Sequence, residues 1–166
     1  LRLDPRSGRF TSYTHSEDDP ASLSHNHVTY TFEDSAQRLW IGTSAGLSLF
    51  ERDTGKFQTY THDRTRPSSL ASNFVRSIGE DRGGQLWIGT DNNGLSRWNS
   101  RSWSLGHHLP MWLPEPSMIN AFADADQGGL WMGTEIGLLQ QAPSGEVTSV
   151  NAAVLADKTV MSLLGD

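Results

Sequence analysis

The sequence predicts an all-β chain of four-stranded antiparallel meanders, the blades of an incomplete β-propeller ring with about three whole units and two partial ones. Leu39-Trp40-Ile41-Gly42-Thr43 returns as Leu86-Trp87-Ile88-Gly89-Thr90 and, with one change, as Leu130-Trp131-Met132-Gly133-Thr134. The tryptophans stand 47 and 44 residues apart, and self-similarity at that period marks a solenoid or a propeller. The 16 glycines and 7 prolines fall at turn positions rather than in one tract, which is the punctuation of many short strands.

The match extends beyond the pentapeptide. Tyr13-Thr14-His15 recurs as Tyr60-Thr61-His62, and Pro20, Ser22, Leu23, Asn26 and Val28 recur as Pro67, Ser69, Leu70, Asn73 and Val75, all shifted by 47. In the third copy Ile119 replaces Val28 and Val75, and Asp124 replaces Glu33 and Glu80. These correspondences divide the chain into the end of a blade with its connection (1–25), whole blades at 26–72, 73–118 and 119–153, and the first strand of a further blade (154–166). The last is suggested by Val160-Met161-Ser162-Leu163, which matches Val75-Arg76-Ser77-Ile78.

In the second unit, Phe74 to Gly79 alternates apolar with small residues, as a strand in a crowded place requires. Glu80 to Gly84 is a tight polar turn whose glycines permit positive φ. Gln85 to Thr90 carries Trp and Ile, good strand formers. Asp91 to Gly94 turns the chain, Leu95 to Trp98 is a third strand, and Ser102 to Leu105 a fourth. Longer polar connections, Ser16 to His25, Asp63 to Ser72 and His107 to Pro116, then lead from blade to blade. With the innermost strand first, these connections share one face with the second-to-third-strand turns (Ser44-Ala45, Asp91 to Asn93, Glu135-Ile136).

Recurrence in every copy is what packing demands, so Trp40, Trp87 and Trp131 read as inter-blade contacts and Gly42, Gly89 and Gly133 as points of close sheet approach. Each indole can bury about 200 Å², on the order of 5 kcal/mol by area. A net charge of −6 with both signs interspersed offers no basic stripe, which argues against nucleic acid. No run approaches the roughly 18 apolar residues of a membrane span, so no membrane contact is expected of this segment. With no cysteine there is no disulfide or thiolate site.

The second unit, Asn73-x-Val75-x-x-Ile78-x-Glu80-Asp81-x-x-Gly84-x-Leu86-Trp87-Ile88-Gly89-Thr90-x-x-x-Gly94-Leu95, resembles the two-component regulator propeller repeat of extracytoplasmic sensor regions in bacterial hybrid histidine kinases and some diguanylate cyclases. The resemblance covers nearly the whole chain. Ala125 in place of the turn aspartate, Met132 in place of isoleucine and Gln140 in place of an apolar residue mark the third unit as divergent. The resemblance implies a periplasmic, non-catalytic ligand-sensing or interaction platform, often of seven blades, preceding a kinase or cyclase module. Seven blades need about 330 residues at this period, so the implied partners are the remaining blades of a longer protein or a second copy. The Asp-x-x-Gly-x-Leu-Trp pattern is also similar to streptogramin-lyase-like propellers, which keeps an enzyme as one alternative; a protein-binding scaffold is another.

No cofactor or metal site is expected. Asp124-Ala125-Asp126-Gln127-Gly128-Gly129 resembles the start of a calcium loop but lacks the third ligand and distal glutamate, and it aligns with an ordinary turn. His15 and His62 hold equivalent positions, which favours a repeated polar contact over a metal, and the adjacent His107 and His108 lack a third ligand. No nucleophile elbow or carboxylate dyad stands out, so no catalytic residue is assigned. The candidate ligand-binding residues are those of the shared-face loops: Asp63, Arg64, Arg66, Asp91, Asn92, Asn93, His107, His108 and Trp112. Aromatic, amide, acid and guanidinium groups suit a small molecule or glycan, and are also ordinary in exposed loops. Met111, Trp112 and Leu113 have no repeat equivalent and either cover a blade or form a contact surface.

Overall fold

The computed structural model describes residues 1–91, 94–99, 104–108, 118–125, 128–144, 146–150 and 158–164, with the backbone alone at 104 and 106–108. A two-stranded hairpin, β1 (Arg2–Leu3) and β2 (Phe10–Thr11), precedes three four-stranded sheets. The first blade is β3 (Val28–Glu33), β4 (Leu39–Thr43), β5 (Gly46–Glu51) and β6 (Lys56–Tyr60). The second is β7 (Val75–Glu80), β8 (Leu86–Thr90), β9 (Leu95–Asn99) and β10 (Ser104–His108). The third is β11 (Ile119–Ala125), β12 (Gly129–Thr134), β13 (Gly137–Gln141) and β14 (Val147–Ser149). Every sheet is an antiparallel meander in chain order, and the described residues contain no helix.

Each first strand carries the same irregularity: the register against the second strand shifts at Val28/Tyr30, Val75/Ser77 and Ile119/Ala121. The unpaired residue is Thr29, Arg76 or Asn120, which frees its side chain from the ladder. Thr29 Oγ1 donates to Val75 O of the next blade at 2.6 Å, and Asn120 Nδ2 donates to Val160 O at 3.1 Å. In the second blade Ser77 Oγ makes the equivalent bond, to Ile119 O at 2.7 Å.

The repeat tryptophans are scaffold. Trp40 is wholly buried in a cluster that includes Val75, Ile78, Leu86, Ile88 and Trp98 of the second blade. Trp87 is buried with Ile119, Leu130, Met132 and Leu139 of the third. A polar anchor accompanies each ring: Trp40 Nε1 donates to Asp34 Oδ2 at 2.8 Å, and Trp87 Nε1 to Asp81 Oδ2 at 2.9 Å. This bond lets an indole sink into an apolar seam without stranding its N–H. Trp131 departs from the expectation of equal packing. It is only half-buried, and Ala125 stands where the aspartate would be.

Close approach fixes the glycines after the tryptophans. A Cβ on Gly42 would lie 2.6 Å from Val75 Cγ1, one on Gly89 2.6 Å from Ile119 O, and one on Gly133 2.7 Å from Val160 Cγ1. Val160 therefore seats on the third blade as Val75 and Ile119 seat on the first two, and its N–H donates to Thr134 O at 2.8 Å. Residues 158–164 form no strand. On the leading side, Tyr13 closes edge-on against Phe50 (5.1 Å) and Phe57 (5.6 Å), sealing the first blade with a residue from the partial unit.

The observed register also corrects one reading of the repeat. Gln140 lies opposite Trp131, in the place of Leu49 opposite Trp40 and Arg97 opposite Trp87, so an apolar residue is not the rule there. The polar newcomer is Gln141, opposite Leu130, where Phe50 stands opposite Leu39 and Trp98 opposite Leu86.

Candidate functional site

The blade connections fold alike because their hydrogen bonds repeat. Ser16 N donates to Ser22 Oγ and Asp63 N donates to Ser69 Oγ, both at 2.9 Å. His15 N and His62 N donate to the side-chain carbonyls of Asn26 (2.8 Å) and Asn73 (2.6 Å), and each imidazole Nδ1 meets a backbone carbonyl, Leu23 O at 2.8 Å and Leu70 O at 2.6 Å. A carbonyl only accepts, so Nδ1 carries the proton in both. Each connection then docks on the third strand of the blade it enters, Ser24 N on Ser48 Oγ (3.1 Å) and Ala71 N on Ser96 Oγ (2.9 Å). The loops are thus held by the scaffold while their tips stay in solvent.

At the tip of the second connection, Asp63 Oδ1 accepts from Thr65 N (2.9 Å) and Thr65 Oγ1 (2.6 Å), and Oδ2 pairs with Arg66 Nε at 3.2 Å. The Thr65 hydroxyl, then the Thr65 backbone N–H, hold the Asp63 carboxyl below its ordinary pKa of 3.8. Arg64 and Arg66 are exposed. Asp91 is half-buried and engaged: its Oδ1 pairs with Arg76 Nε at 3.0 Å, and the Arg76 guanidinium lies 5.4 Å from the Phe74 ring centroid. Among the described residues no hydrogen bond or ion pair joins Asp63, Arg64 or Arg66 to Asp91. Asn92, Asn93 and Trp112 lie outside the described residues.

His107 and His108 require a correction. They were expected to open the connection after the second blade, yet both lie on its fourth strand, paired with Ser96 and Leu95. One extra residue in the turn between Thr90 and Gly94, compared with Thr43 to Gly46, sets the later strands 48 residues after those of the first blade, so the counterpart of Lys56–Tyr60 is Ser104–His108, beyond the expected Ser102 to Leu105. His108 opposite Leu95 thereby takes the register of Tyr60 opposite Leu47.

Sequence reasoning missed a second group on this face. His25 Nδ1 accepts from His27 N (2.9 Å) and meets Ser44 Oγ at 2.8 Å; its ring lies 6.4 Å from that of His15, and His27 stands edge-on to Phe74 at 6.3 Å. Of these, His27 reaches the second blade through Phe74, over whose ring the Arg76 guanidinium also lies. The available signal was variation within the repeat, since Arg76 occupies a place held by Thr29 and Asn120. Among the described residues no group of three or more His, Asp or Glu could hold a metal ion. Asp124 of the calcium-like segment pairs with Arg82 at 3.7 Å and Gly128 (φ +83°) closes a turn on Ala125 O, while Asp126 and Gln127 lie outside the described residues.

Meanders of this kind, stacked through a tryptophan seam, define a β-propeller. Residues 22–45 and 69–92, at corresponding places in the first two blades, match the family described as Two component regulator propeller. Among solved structures, the chain is similar to the extracellular domain of the candidate hybrid two component system BT3049 from B. thetaiotaomicron (25% identity, TM-score 0.70, 88% of this chain and 20% of that one). It is also similar to the extracellular domain of the candidate one component system BT4673 from the same organism (20% identity, TM-score 0.78, 99% and 22%). A third is PorZ, an essential surface component of the type-IX secretion system of Porphyromonas gingivalis (15% identity, TM-score 0.66, 99% and 26%). The last two likenesses are of fold alone. The chain spans between 20% and 26% of these structures. No curated protein matches it significantly.

Proposed function

We propose that the chain forms part of the periplasmic input region of a bacterial signalling protein and serves there as a non-catalytic platform recognising a small molecule or glycan through its blade connections. The observation that carries the reading is the repeat match at 22–45 and 69–92, in a chain whose backbone follows that of the BT3049 extracellular domain. The energetics support the placing of recognition: the repeat tryptophans and glycines are used in holding blades together, whereas the connections present Arg64 and Arg66 to solvent from anchored loops. A thermal-shift screen of the intact protein against neutral and acidic oligosaccharides tests it. Stabilisation by a glycan that disappears in Arg64→Ala/Arg66→Ala, with the unliganded melting temperature unchanged, is the expected result. Stabilisation that survives both substitutions would place recognition elsewhere, and no response to any glycan would remove the carbohydrate reading.

A further inference from the structure

The seams between blades follow one rule that is broken once. At the leading seam Tyr13 packs on Phe50, and at the next Trp40 and Tyr60 both stand 5.0 to 6.1 Å from their aromatic neighbours, each edge-on to Trp98 at 5.0 Å. Phe50 and Trp98 are thus the aromatic plugs of successive seams. In the third blade Gln141 holds their register, and in the second blade His108 holds the register of Tyr60. The seam between the second and third blades has therefore exchanged its aromatic plug for a polar residue. What remains there is a cleft of about 460 Å³, within the range of small-molecule sites, on the side of the glycine-containing first turns.

Its walls are specific. Trp87 and Leu130 supply apolar surface, and Gln141 enters the same cleft although it is nine-tenths buried. The Gln141 Oε1 acceptor has no hydrogen-bond partner among the described residues, and a buried acceptor left unanswered is destabilising until a donor fills the place. The Asp81 carboxylate at the edge accepts from Trp87 Nε1, Gly83 N and Gln85 N and has no proton to give, so it cannot answer the Gln141 acceptor. Arg97 lines the cleft and is exposed, where the corresponding residues are Leu49 and Gln140. A cation, a buried orphan acceptor and an apolar wall thus come together where the plug is missing.

We infer that this cleft binds a small organic acid bearing a hydroxyl or amide N–H: the carboxylate pairs with Arg97, the O–H or N–H donates to Gln141 Oε1, and the carbon frame lies against Trp87 and Leu130. The site is on the face opposite the blade connections and stands independently of the function proposed for them. The test uses gluconate and N-acetylglycine as probes, with hexanoate as an acid lacking a donor, and follows the Gln141 side-chain amide and Trp87 indole N–H resonances of the chain. Saturable shifts with gluconate or N-acetylglycine are expected, at least tenfold weaker with hexanoate. Arg97→Ala should weaken binding at least tenfold with no change in melting temperature. Gln141→Phe, which restores the plug, should abolish binding and raise the melting temperature; Gln141→Leu provides the same loss with a smaller side chain. Absence of shifts with both donor-bearing acids, or shifts that persist in both Gln141 variants, would overturn the inference.

Discussion

Replacing Asp34 with alanine should be among the most damaging single changes in the first blade. Its side chain is wholly buried and accepts four hydrogen bonds: Ala36 N at 3.1 Å, Arg38 N at 2.8 Å, Arg38 Nε at 2.6 Å and Trp40 Nε1 at 2.8 Å. Alanine leaves the indole N–H of a fully buried tryptophan without an acceptor, which alone costs about 1–3 kcal/mol. It also removes one partner of a mostly buried ion pair, and such breaks cost about 3–5 kcal/mol when the other charge stays sequestered. Arg38 is partly exposed and can turn to water, so the sum is set at about 3–4 kcal/mol. For a chain of this length that is a fall of about 6–16 °C in melting temperature. Denaturant unfolding followed by tryptophan fluorescence gives the free energy directly. Asp81→Ala should cost less, because Asp81 is half-buried and its ladder is nearer solvent. A loss below about 1 kcal/mol for Asp34→Ala would refute the view that the carboxylate anchors the tryptophan seam.

Gly89→Ala should destabilise by about 2–4 kcal/mol, since its Cβ would meet the backbone carbonyl of Ile119 at 2.6 Å and neither strand can yield without parting the blades; equilibrium unfolding measures it. Gln37 adopts φ 61° where Gly84 and Gly128 occupy the equivalent turns at 74° and 83°, so Gln37→Gly should stabilise by about 1 kcal/mol, read from the same curves. Burial pushes the Tyr60 phenol up to about 12, and its hydroxyl is buried without a partner among the described residues. Because the folded value lies above the unfolded one, its favourable contribution is complete below pH 10 and is lost as pH rises through the folded value. Tyr60→Phe should remove that alkaline loss and leave neutral-pH stability equal or about 1 kcal/mol higher. The depressed Asp63 carboxyl has the opposite sign: order it lends to the connection is present above the unfolded pKa and fades as pH falls through the folded one. Thr65→Val should return the Asp63 titration, followed by carboxyl NMR, toward 3.8.

The blades were legible because their determinants are local and repeated. Alternation, turn glycines and a constant spacing place the first three strands of the second blade within a residue or two, and the stacking follows since one tryptophan per copy must be buried against something. Harder to read were effects of counting and of distance. One additional residue between Thr90 and Gly94 sets the third and fourth strands of the second blade 48 residues after those of the first, which puts His107 and His108 on a strand rather than in a loop. The bond from Asp34 to Trp40 was visible as a constant six-residue spacing, yet turn chemistry alone explained the aspartate equally well. On the connection face, the engagement of Asp91 by Arg76 depends on a bulge that leaves no trace in periodicity. The apolar loop around Trp112 lies outside the described residues.

A double-mutant cycle on Trp40 and Trp98 probes the seam most directly. Their rings meet edge-to-face at 5.0 Å across two blades, and such pairs are worth about 0.5–1.5 kcal/mol beyond the area they bury. Trp40→Leu, Trp98→Leu and the double variant should show a coupling of at least that size. Strictly additive losses would contradict the assignment of the repeat tryptophans to the joints between blades.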